Sequence, residues 1–554
     1  MRDLPIGVQD FEKIRRNDYL YIDKTEKLLQ LAKTEKSYFL SRPRRFGKSL
    51  TLSTLEAMFK GKAELFKGLY AEEWVKEQAK HPAGVIRLDM GHLTAYENRE
   101  ELNDSVVKYL ERYYIKKYKL DISLDNKNAG DLFLDIVIAF YEQFGFVVVL
   151  IDEYDKPMTD NINNLEKAEE MRNFLRSFYG LVKDCDEVNF VMFTGVSKFS
   201  KAGAFSGVNN LIDISMNKKY GDIVGYTQQE LEDNFGDWLE KTGQEMSLSK
   251  EELLEKIRRY YDGFSFDGKV RVYNPFSVLN FFEDQKFNNY WYISALFFPP
   301  SKKELNVSSF LVDYFKQHEI NDIDKLRHIK VASNFADEQE IEKATPESFL
   351  FQAGYLTIEK WESKGDGEFL TLDYPNEEVK RSISQLFLRN IYKIERYISL
   401  GDNLWEAIKS LNEGNIETIV EMFNNALTKI PYSDFPKNQN EYWYRSLFVM
   451  LLRGGAGVTS FQESFSKDGR ADLVIPFDDK IIIIEFKFAD NSNEVDKKRA
   501  EAQEQLKRYA ESYKNELIVK NSDEFLKNEP HNGAGKKIIT VALIADNEKK
   551  QVEI

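Results

Sequence analysis

Residues 37–50 read Ser37-Tyr38-Phe39-Leu40-Ser41-Arg42-Pro43-Arg44-Arg45-Phe46-Gly47-Lys48-Ser49-Leu50. A short apolar run, Ser37 to Leu40, enters a loop dense in arginine, and an apolar-periodic helix begins at Leu50. The order is strand, loop, helix. A loop that delivers backbone N–H groups to a helix N-terminus forms a concavity for an anion. Gly47, Lys48 and Ser49 supply the end of such a phosphate motif, with a lysine for the β- and γ-phosphates and a hydroxyl for Mg²⁺. The glycine that usually opens the motif would fall at Arg42, and Pro43, Arg44 and Arg45 stand where small residues are common. Gly-Lys-Ser alone is a frequent accident, and a surface loop entering a helix explains it at least as well.

The second half of the site lies further along. Val147-Val148-Val149-Leu150-Ile151-Asp152-Glu153 is a buried-strand run ending in two acids, about a hundred residues after Lys48, in the order a P-loop fold requires. There Asp152 would hold Mg²⁺ through water and Glu153 would polarise the attacking water. Both halves together point to nucleotide binding by Arg44, Arg45, Phe46, Gly47, Lys48, Ser49, Leu50 and Asp152. A further strand, Asn189 to Thr194, either sets the Thr194 hydroxyl beside the γ-phosphate or simply exits into a turn. Arg44 and Arg45 either clamp phosphate or pair with acids elsewhere. With Val85 to Met90 as another strand and helical patterns between, the expectation is a parallel sheet covered on both faces.

The chain has 554 residues, 42% hydrophobic and 31% charged, which implies a soluble protein of three or four units at about 150 residues each. One cysteine, Cys185, excludes an intrachain disulfide, and five scattered histidines offer no zinc spacing, so any metal should be held by oxygen. A formal charge of −15 argues against coating nucleic acid through bulk electrostatics, although a local basic groove is compatible with it. No secretory signal and no membrane-spanning run are read, so a cytoplasmic protein without membrane partners is expected.

Beyond about residue 215 the pattern turns helical, with Gln228 to Lys241 and Lys250 to Tyr261 the clearest segments, the latter stopped by Asp262-Gly263. Thr345 to Ala353, Tyr355 to Lys360, Glu368 to Asp373 and Glu377 to Tyr392 read as helix, hairpin and helix, a winged-helix-like unit that serves either as spacer or as DNA reader. The last segment reads as helix Glu441 to Leu452, strand Val458 to Glu463, two strands around Asp478-Asp479, helix Val495 to Tyr513 and strand Lys537 to Ile544.

Its chemistry sits on the two strands. A two-residue turn at Asp478-Asp479 sets Asp472 directly opposite Glu485, Cβ atoms roughly 5 Å apart. Opposed carboxylates on an apolar hairpin make sense with a divalent cation between them. Period-two alternation sets Lys487 on the face of Glu485, where its ammonium could orient the attacking water. Two solvated strand-end acids are the bland alternative, but Glu485 follows Ile481-Ile482-Ile483-Ile484, where an unpaired charge is expensive. Glu441 either faces this metal or pairs with Arg445 one turn on. Gln505 borders the apolar face Ala502, Leu506, Tyr509 and Tyr513, and either reaches the site or only flanks the core.

These residues resemble a bacterial two-domain family that combines an AAA-ATPase-like domain with a PD-(D/E)XK nuclease domain. The resemblance rests on Tyr21-Ile22-Asp23-Lys24-Thr25, the arginine-rich loop Arg42 to Leu50, and Leu150-Ile151-Asp152-Glu153-Tyr154-Asp155. It continues through Tyr261-Asp262-Gly263-Phe264, Tyr273-Asn274-Pro275-Phe276-Ser277, Gly354-Tyr355-Leu356-Thr357 and Pro375-Asn376-Glu377-Glu378-Val379 to Gly469-Arg470-Ala471-Asp472 and Glu485-Phe486-Lys487. It implies Asp472 and Glu485 as metal ligands, Lys487 as catalytic lysine and Gln505 as the helix glutamine. Ala471 stands where a proline often precedes the first acid.

The expected architecture is α/β: an AAA-like P-loop core over 1–215, a helical lid over 216–335, a winged-helix-like and linker region over 336–430, and a restriction-endonuclease-like nuclease domain over 431–554. The expected activity is ATP hydrolysis, with Ser49 and Asp152 on Mg²⁺ and Glu153 catalytic. It is coupled to nucleic-acid cleavage, DNA foremost, by Asp472, Glu485, Lys487 and Gln505 with Mg²⁺ or Mn²⁺, Glu441 contributing to the metal. The alternative is a nucleotide switch or interaction protein whose nuclease-like domain only binds nucleic acid or a protein. Monomer, dimer and ring remain open.

Overall fold

The computed structural model describes residues 1–93, 96–125, 127–161, 164–198, 211–291, 315, 323–336, 345–365, 367–390, 401–430, 439–455, 458, 460–466, 469–477, 479–515 and 536–554. They group into two compact units, Met1–Tyr314 with Leu326–Val379, and Phe315–Lys325 with Lys380–Ile554. The chain passes from one to the other within the helix Glu377–Asn390.

The first unit is built on β1 (Ser37–Ser41), β2 (Gly84–Asp89), β3 (Val147–Asp152), β4 (Val188–Gly195) and β5 (Leu211–Asp213), in the order β2-β3-β4-β1-β5. All four pairings are parallel. Every residue of β3 is buried, as a strand covered on both faces requires. Val147, Val149 and Ile151 join Ile136, Phe140 and Leu175 of the helices Ala129–Phe144 and Leu165–Asp184 in one core. On the other face Phe59, which ends the helix Lys48–Phe59, meets Phe190 at a ring distance of 5.0 Å. Because β4 lies between β1 and β3, its last residues stand between the loop that follows β1 and the acids that end β3. The C-terminal edge of such a sheet is where parallel folds bind ligands.

The helical segment that follows carries a correction. One helix is expected over Gln228 to Lys241, and there are two, Gln228–Asn234 and Gly236–Met246, meeting at Phe235 (φ −104, ψ 21). Glycine in a helix interior costs about 1 kcal/mol relative to alanine, and the break turns Phe235 into the core, stacked 5.0 Å from Phe282. Capping boxes, Thr227 with Glu230 and Ser249 with Glu252, start Gln228–Asn234 and Lys250–Tyr261.

Helix Pro346–Ala353, β7 (Thr357–Lys364), β8 (Gly367–Asp373) and helix Glu377–Asn390 follow in the expected order, Tyr392 lying outside the described residues. A strand not expected, β6 (Ile329–Ala332), pairs antiparallel with β8. Glu359 occupies an irregularity between Ile358 and Lys360 of β7, a bulge that re-aims its side chain. It lies 2.9 Å from His328 Nδ1, while Arg327 pairs with Asp373 at 3.1 Å. Arg327, His328, Glu359 and Asp373 form one polar network, and the hydrogen bond between His328 and the Glu359 carboxylate raises the His328 pKa.

The second unit holds a mixed sheet in the order β13-β12-β11-β10-β9, of β9 (Phe461–Ser466), β10 (Gly469–Pro476), β11 (Lys480–Ala489), β12 (Lys537–Asp546) and β13 (Gln551–Glu553). Only β11 with β12 is parallel. The strand expected at Val458 begins at Phe461 and runs on to Ser466. Ala502, Leu506 and Tyr509 of helix Val495–Asn515 pack on Ile481 and Ile483, while Phe448 of helix Glu441–Met450 meets Phe486 at 5.5 Å. Among the described residues no helix is long and apolar enough to cross a membrane.

Candidate functional site

The loop after β1 is shaped to receive an anion. Gly47 is the N-cap of helix Lys48–Phe59 at φ 92, a left-handed conformation suited to glycine, and no side chain caps that helix. Its first amides are therefore left to a ligand. Arg45 is also left-handed at φ 69, with its guanidinium 5.0 Å from the Phe276 ring centre. Arg44 is exposed, and its charge is felt by Lys48 and by the Tyr355 phenol. Phe46 is buried between Phe264 and Phe266 at 4.9 and 5.6 Å, so it anchors the loop. Ser49 and Leu50 lie in the first turn of the helix and are half-buried.

Arg42, where a glycine is usual, is an anchor as well. It is 1% exposed, its Nη1 donating to Ser215 O at 2.6 Å and Nη2 to Tyr220 O at 3.2 Å, with the guanidinium 4.0 Å from the Phe266 centroid. Burial pushes its pKa down to about 9. Lys48 Nζ donates to Arg42 O at 2.9 Å and Pro43 O at 3.0 Å. Burial pushes the Lys48 pKa down to about 8 against the charges of Asp152, Glu153 and Asp155.

Those acids end β3. Asp152 is fully buried, and Thr194 Oγ1 donates to its Oδ1 at 2.7 Å, which ties the end of β4 to the end of β3. Asp152 Oδ2 has no hydrogen-bond partner among the described residues, Arg87 Nη2 standing 3.7 Å off. Glu153 is left-handed at φ 50, and its carboxylate lies against Gly91, where an added Cβ would sit 2.4 Å from Oε2. Burial and then the charges of Asp152 and Asp89 raise its pKa. An uncapped helix terminus, a buried lysine and an orphaned buried carboxylate oxygen form a donor and acceptor set that fits a nucleoside triphosphate with a divalent cation.

Two acids here escaped the sequence reading as site residues. Asp89 ends β2 beside Asp152, and its pKa is raised by burial and then by that neighbour. The acid at the end of an apolar run was the available signal. Asp155 accepts from Ser197 N at 2.8 Å and Ser197 Oγ at 2.7 Å, which ties the exit of β3 to that of β4.

In the second unit the expected register holds. Leu473 pairs Ile484, Val474 pairs Ile483, Ile475 pairs Ile482 and Pro476 pairs Ile481, which brings Asp472 and Glu485 to the positions just past the last of these rungs; Asp478 lies outside the described residues. Asp472 Oδ2 accepts from Phe486 N at 2.8 Å, and Lys487 Nζ donates to Glu485 Oε1 at 2.9 Å. Glu441 Oε2 is 4.0 Å from Lys487 Nζ. Arg445, one of the two partners considered for Glu441, has its Nη1 at 2.6 Å from Asp472 Oδ1.

Glu485 is 3% exposed. Burial, reinforced by Asp472 and opposed by Lys487, pushes its pKa up to about 7. Burial likewise raises Glu441. Lys487 is penalised by burial, yet the hydrogen bond and charge of Glu485 leave its pKa raised. Glu485 Oε2 and Gln505 Oε1 are buried without a hydrogen-bond partner among the described residues, and such atoms call for a ligand. The oxygen-rich set fits a hard divalent cation. Tyr509, read as core, packs in that core, and its pKa is raised by burial and then by the charges of Glu485 and Asp472.

The parallel sheet with its phosphate loop and the mixed sheet with its acid hairpin define an AAA-like ATPase domain and a nuclease-superfamily domain. The family described as "Predicted AAA-ATPase" matches residues 5–205, and the PD-(D/E)XK nuclease superfamily matches residues 439–525. A protein of Azotobacter chroococcum mcd 1, "Uncharacterized protein in vnfD 5'region", is 33% identical over 490 residues, which is 88% of this chain and 89% of that one. The chain belongs to the family of this bacterial relative, AAA-ATPase-like proteins that carry a PD-(D/E)XK nuclease-superfamily domain. Among solved structures, the Aeropyrum pernix ORC1 protein in complex with DNA is 11% identical over 65% of this chain and 91% of that chain, with a TM-score of 0.26. The Aeropyrum pernix ORC2 protein (ADPNP-ADP complexes) is 10% identical over 68% and 93%, with a TM-score of 0.25.

Proposed function

We propose that the chain binds and hydrolyses ATP in its first unit and cleaves nucleic acid, DNA foremost, in its second, with ATP gating the cleavage. The observation that carries the reading is the acid hairpin: Asp472 and Glu485 stand one step beyond the last paired rung, Leu473 with Ile484, Lys487 donates to Glu485 Oε1, and Glu485 Oε2 is a buried acceptor without a partner among the described residues.

In the first unit Lys48, Ser49 and the amides after Gly47 would hold the phosphates, Asp152 and Ser49 the cation, and Glu153 would accept a proton from the attacking water. Thr194 fixes the Asp152 carboxylate. In the second unit Asp472 and Glu485, with Glu441 at the edge, would hold Mg²⁺ or Mn²⁺. When bound, that ion supplies Lewis acidity and lowers the pKa of a coordinated water. Lys487 would balance charge on the phosphoryl group, and Gln505 and Tyr509 would orient it.

A second reading takes the acid pair as structural and the domain as a binding module, and the Arg445 contact with Asp472 favours it. Cleavage of single- and double-stranded DNA and RNA with Mn²⁺, with and without ATP, separates them. Cleavage lost in Glu485→Ala and changed in its ATP dependence in Glu153→Gln supports the coupled nuclease. No cleavage of any substrate by the unmodified protein moves the conclusion to the binding module.

A further inference from the structure

The contact that favours the binding-module reading also has a functional interpretation, and it turns on where Arg445 is held. Helix Glu441–Met450 starts at Asn440, whose side chain accepts from Trp443 N, and every residue from Trp443 to Met450 is buried. Arg445 is thus a cation carried into the unit's interior by a buried helix. Its residue exposure is 5%, its guanidinium lies 5.4 Å from the Tyr442 ring centre, and its Nη1 meets Asp472 Oδ1 at 2.6 Å. Phe486 N takes the other oxygen. Asp472 therefore has a full cation on one oxygen and a fixed amide on the other, whereas Glu485 keeps Oε2 without a partner among the described residues.

A divalent cation, if held by Asp472 and Glu485, would face the guanidinium that lies 2.6 Å from Asp472 Oδ1, and like charges in a partly buried setting repel strongly. A guanidinium leaving a carboxylate has an equally good acceptor in a phosphodiester, which matches its planar fork. We propose that Arg445 is the resident counter-cation of this metal site: it competes with a divalent cation for Asp472 and yields it when a phosphodiester takes the guanidinium. Metal and nucleic acid then reinforce each other's binding, because each pays less of the displacement when the other is present. The inference rests on the nuclease reading of Asp472 and Glu485 and adds a residue that sets when the site loads.

The test is calorimetric titration of the full chain with Mn²⁺, alone and with a phosphorothioate oligonucleotide, in the unmodified protein, Arg445→Met, Arg445→Lys and Asp472→Ala. The expected result is that Arg445→Met binds Mn²⁺ about tenfold tighter or more without oligonucleotide. The oligonucleotide should tighten Mn²⁺ binding in the unmodified protein and much less in Arg445→Met, with Arg445→Lys between. Thermal melts guard against misfolding: Arg445→Met should melt lower without metal and gain more from Mn²⁺ than the unmodified protein. Mn²⁺ binding that depends on Asp472 but is unchanged or weaker in folded Arg445→Met overturns the counter-cation and leaves the metal site standing. Mn²⁺ binding that is absent, or that survives Asp472→Ala, removes the site itself and the proposal with it. A fall in stability with no change in Mn²⁺ affinity marks Arg445 as a structural clamp and also overturns it.

Discussion

Arg42 and Glu378 show how a single buried group is tolerated only through its partners. Arg42 joins the phosphate loop to Ser215 and Tyr220, so Arg42→Ala should lower stability by about 2–4 kcal/mol, leaving buried carbonyls without a donor. Lysine should not rescue it, since one ammonium cannot replace a planar fork. Urea unfolding reads both, and a loss within roughly half a kcal/mol would leave the anchor without support. Glu378 is fully buried, with Ser277 Oγ at 2.8 Å and Trp291 N at 2.8 Å on its carboxyl. Burial pushes its pKa up to about 8. A carboxyl raised on folding adds stability that is complete below its unfolded pKa and is lost as pH climbs through the folded one. Stability should therefore decline between the ordinary carboxylate range and about pH 8. Glu378→Gln keeps an acceptor for Trp291 and a donor for Ser277, so its stability should decline less steeply over that window than that of the unmodified protein. An unchanged pH profile in the variant would assign the decline to other groups.

At the scale of elements, Gly354 links the helix Pro346–Ala353 to the phosphate loop. It is left-handed at φ 91, and a Cβ there would sit 2.7 Å from Pro43 Cβ. Gly354→Ala should cost about 2–4 kcal/mol through backbone strain and overlap together. Because the overlap falls on Pro43, nucleotide affinity should fall as well, read by titrating a fluorescent ATP analogue. Unchanged affinity in a destabilised variant would separate this helix from the loop. Elements with a pattern of their own were legible: β1, β3 and β4 are apolar runs bounded by polar turns, and the β10–β11 rung followed from a two-residue turn and period-two alternation. Elements that exist through their neighbours were not. β5 is three residues with Ile212 exposed and is held by pairing with β1, and β6 is recruited by β8. The same divide runs through the sites. Lys48, Asp152 and Glu485 announce themselves by sequence context, whereas Asp89 and Arg445 acquire their partners only when distant strands and helices meet.

The molecule as a whole is two compact units, each with its own core, and each candidate site lies within one of them. Cores that do not share residues can unfold as separate cooperative transitions, and a ligand stabilises only the transition that destroys its own site. Calorimetry of the full chain should then show two endotherms. A slowly hydrolysed ATP analogue with Mg²⁺ should move one, by about 2.7 kcal/mol of added stability at a hundredfold excess over its dissociation constant. Lys48→Ala should abolish that movement while leaving the other endotherm in place. Mn²⁺ at concentrations too low to affect the first transition should raise the second, and Asp472→Ala should remove that rise. If the ATP analogue moved both endotherms in the unmodified protein and neither in Lys48→Ala, the nucleotide site would be energetically linked to the nuclease unit through the protein itself, since a ligand changes a distant unit only through differential affinity for its states. If it moved the first alone, with cleavage still dependent on ATP, the coupling would have to arise from nucleic acid held by both units and not from the protein fold.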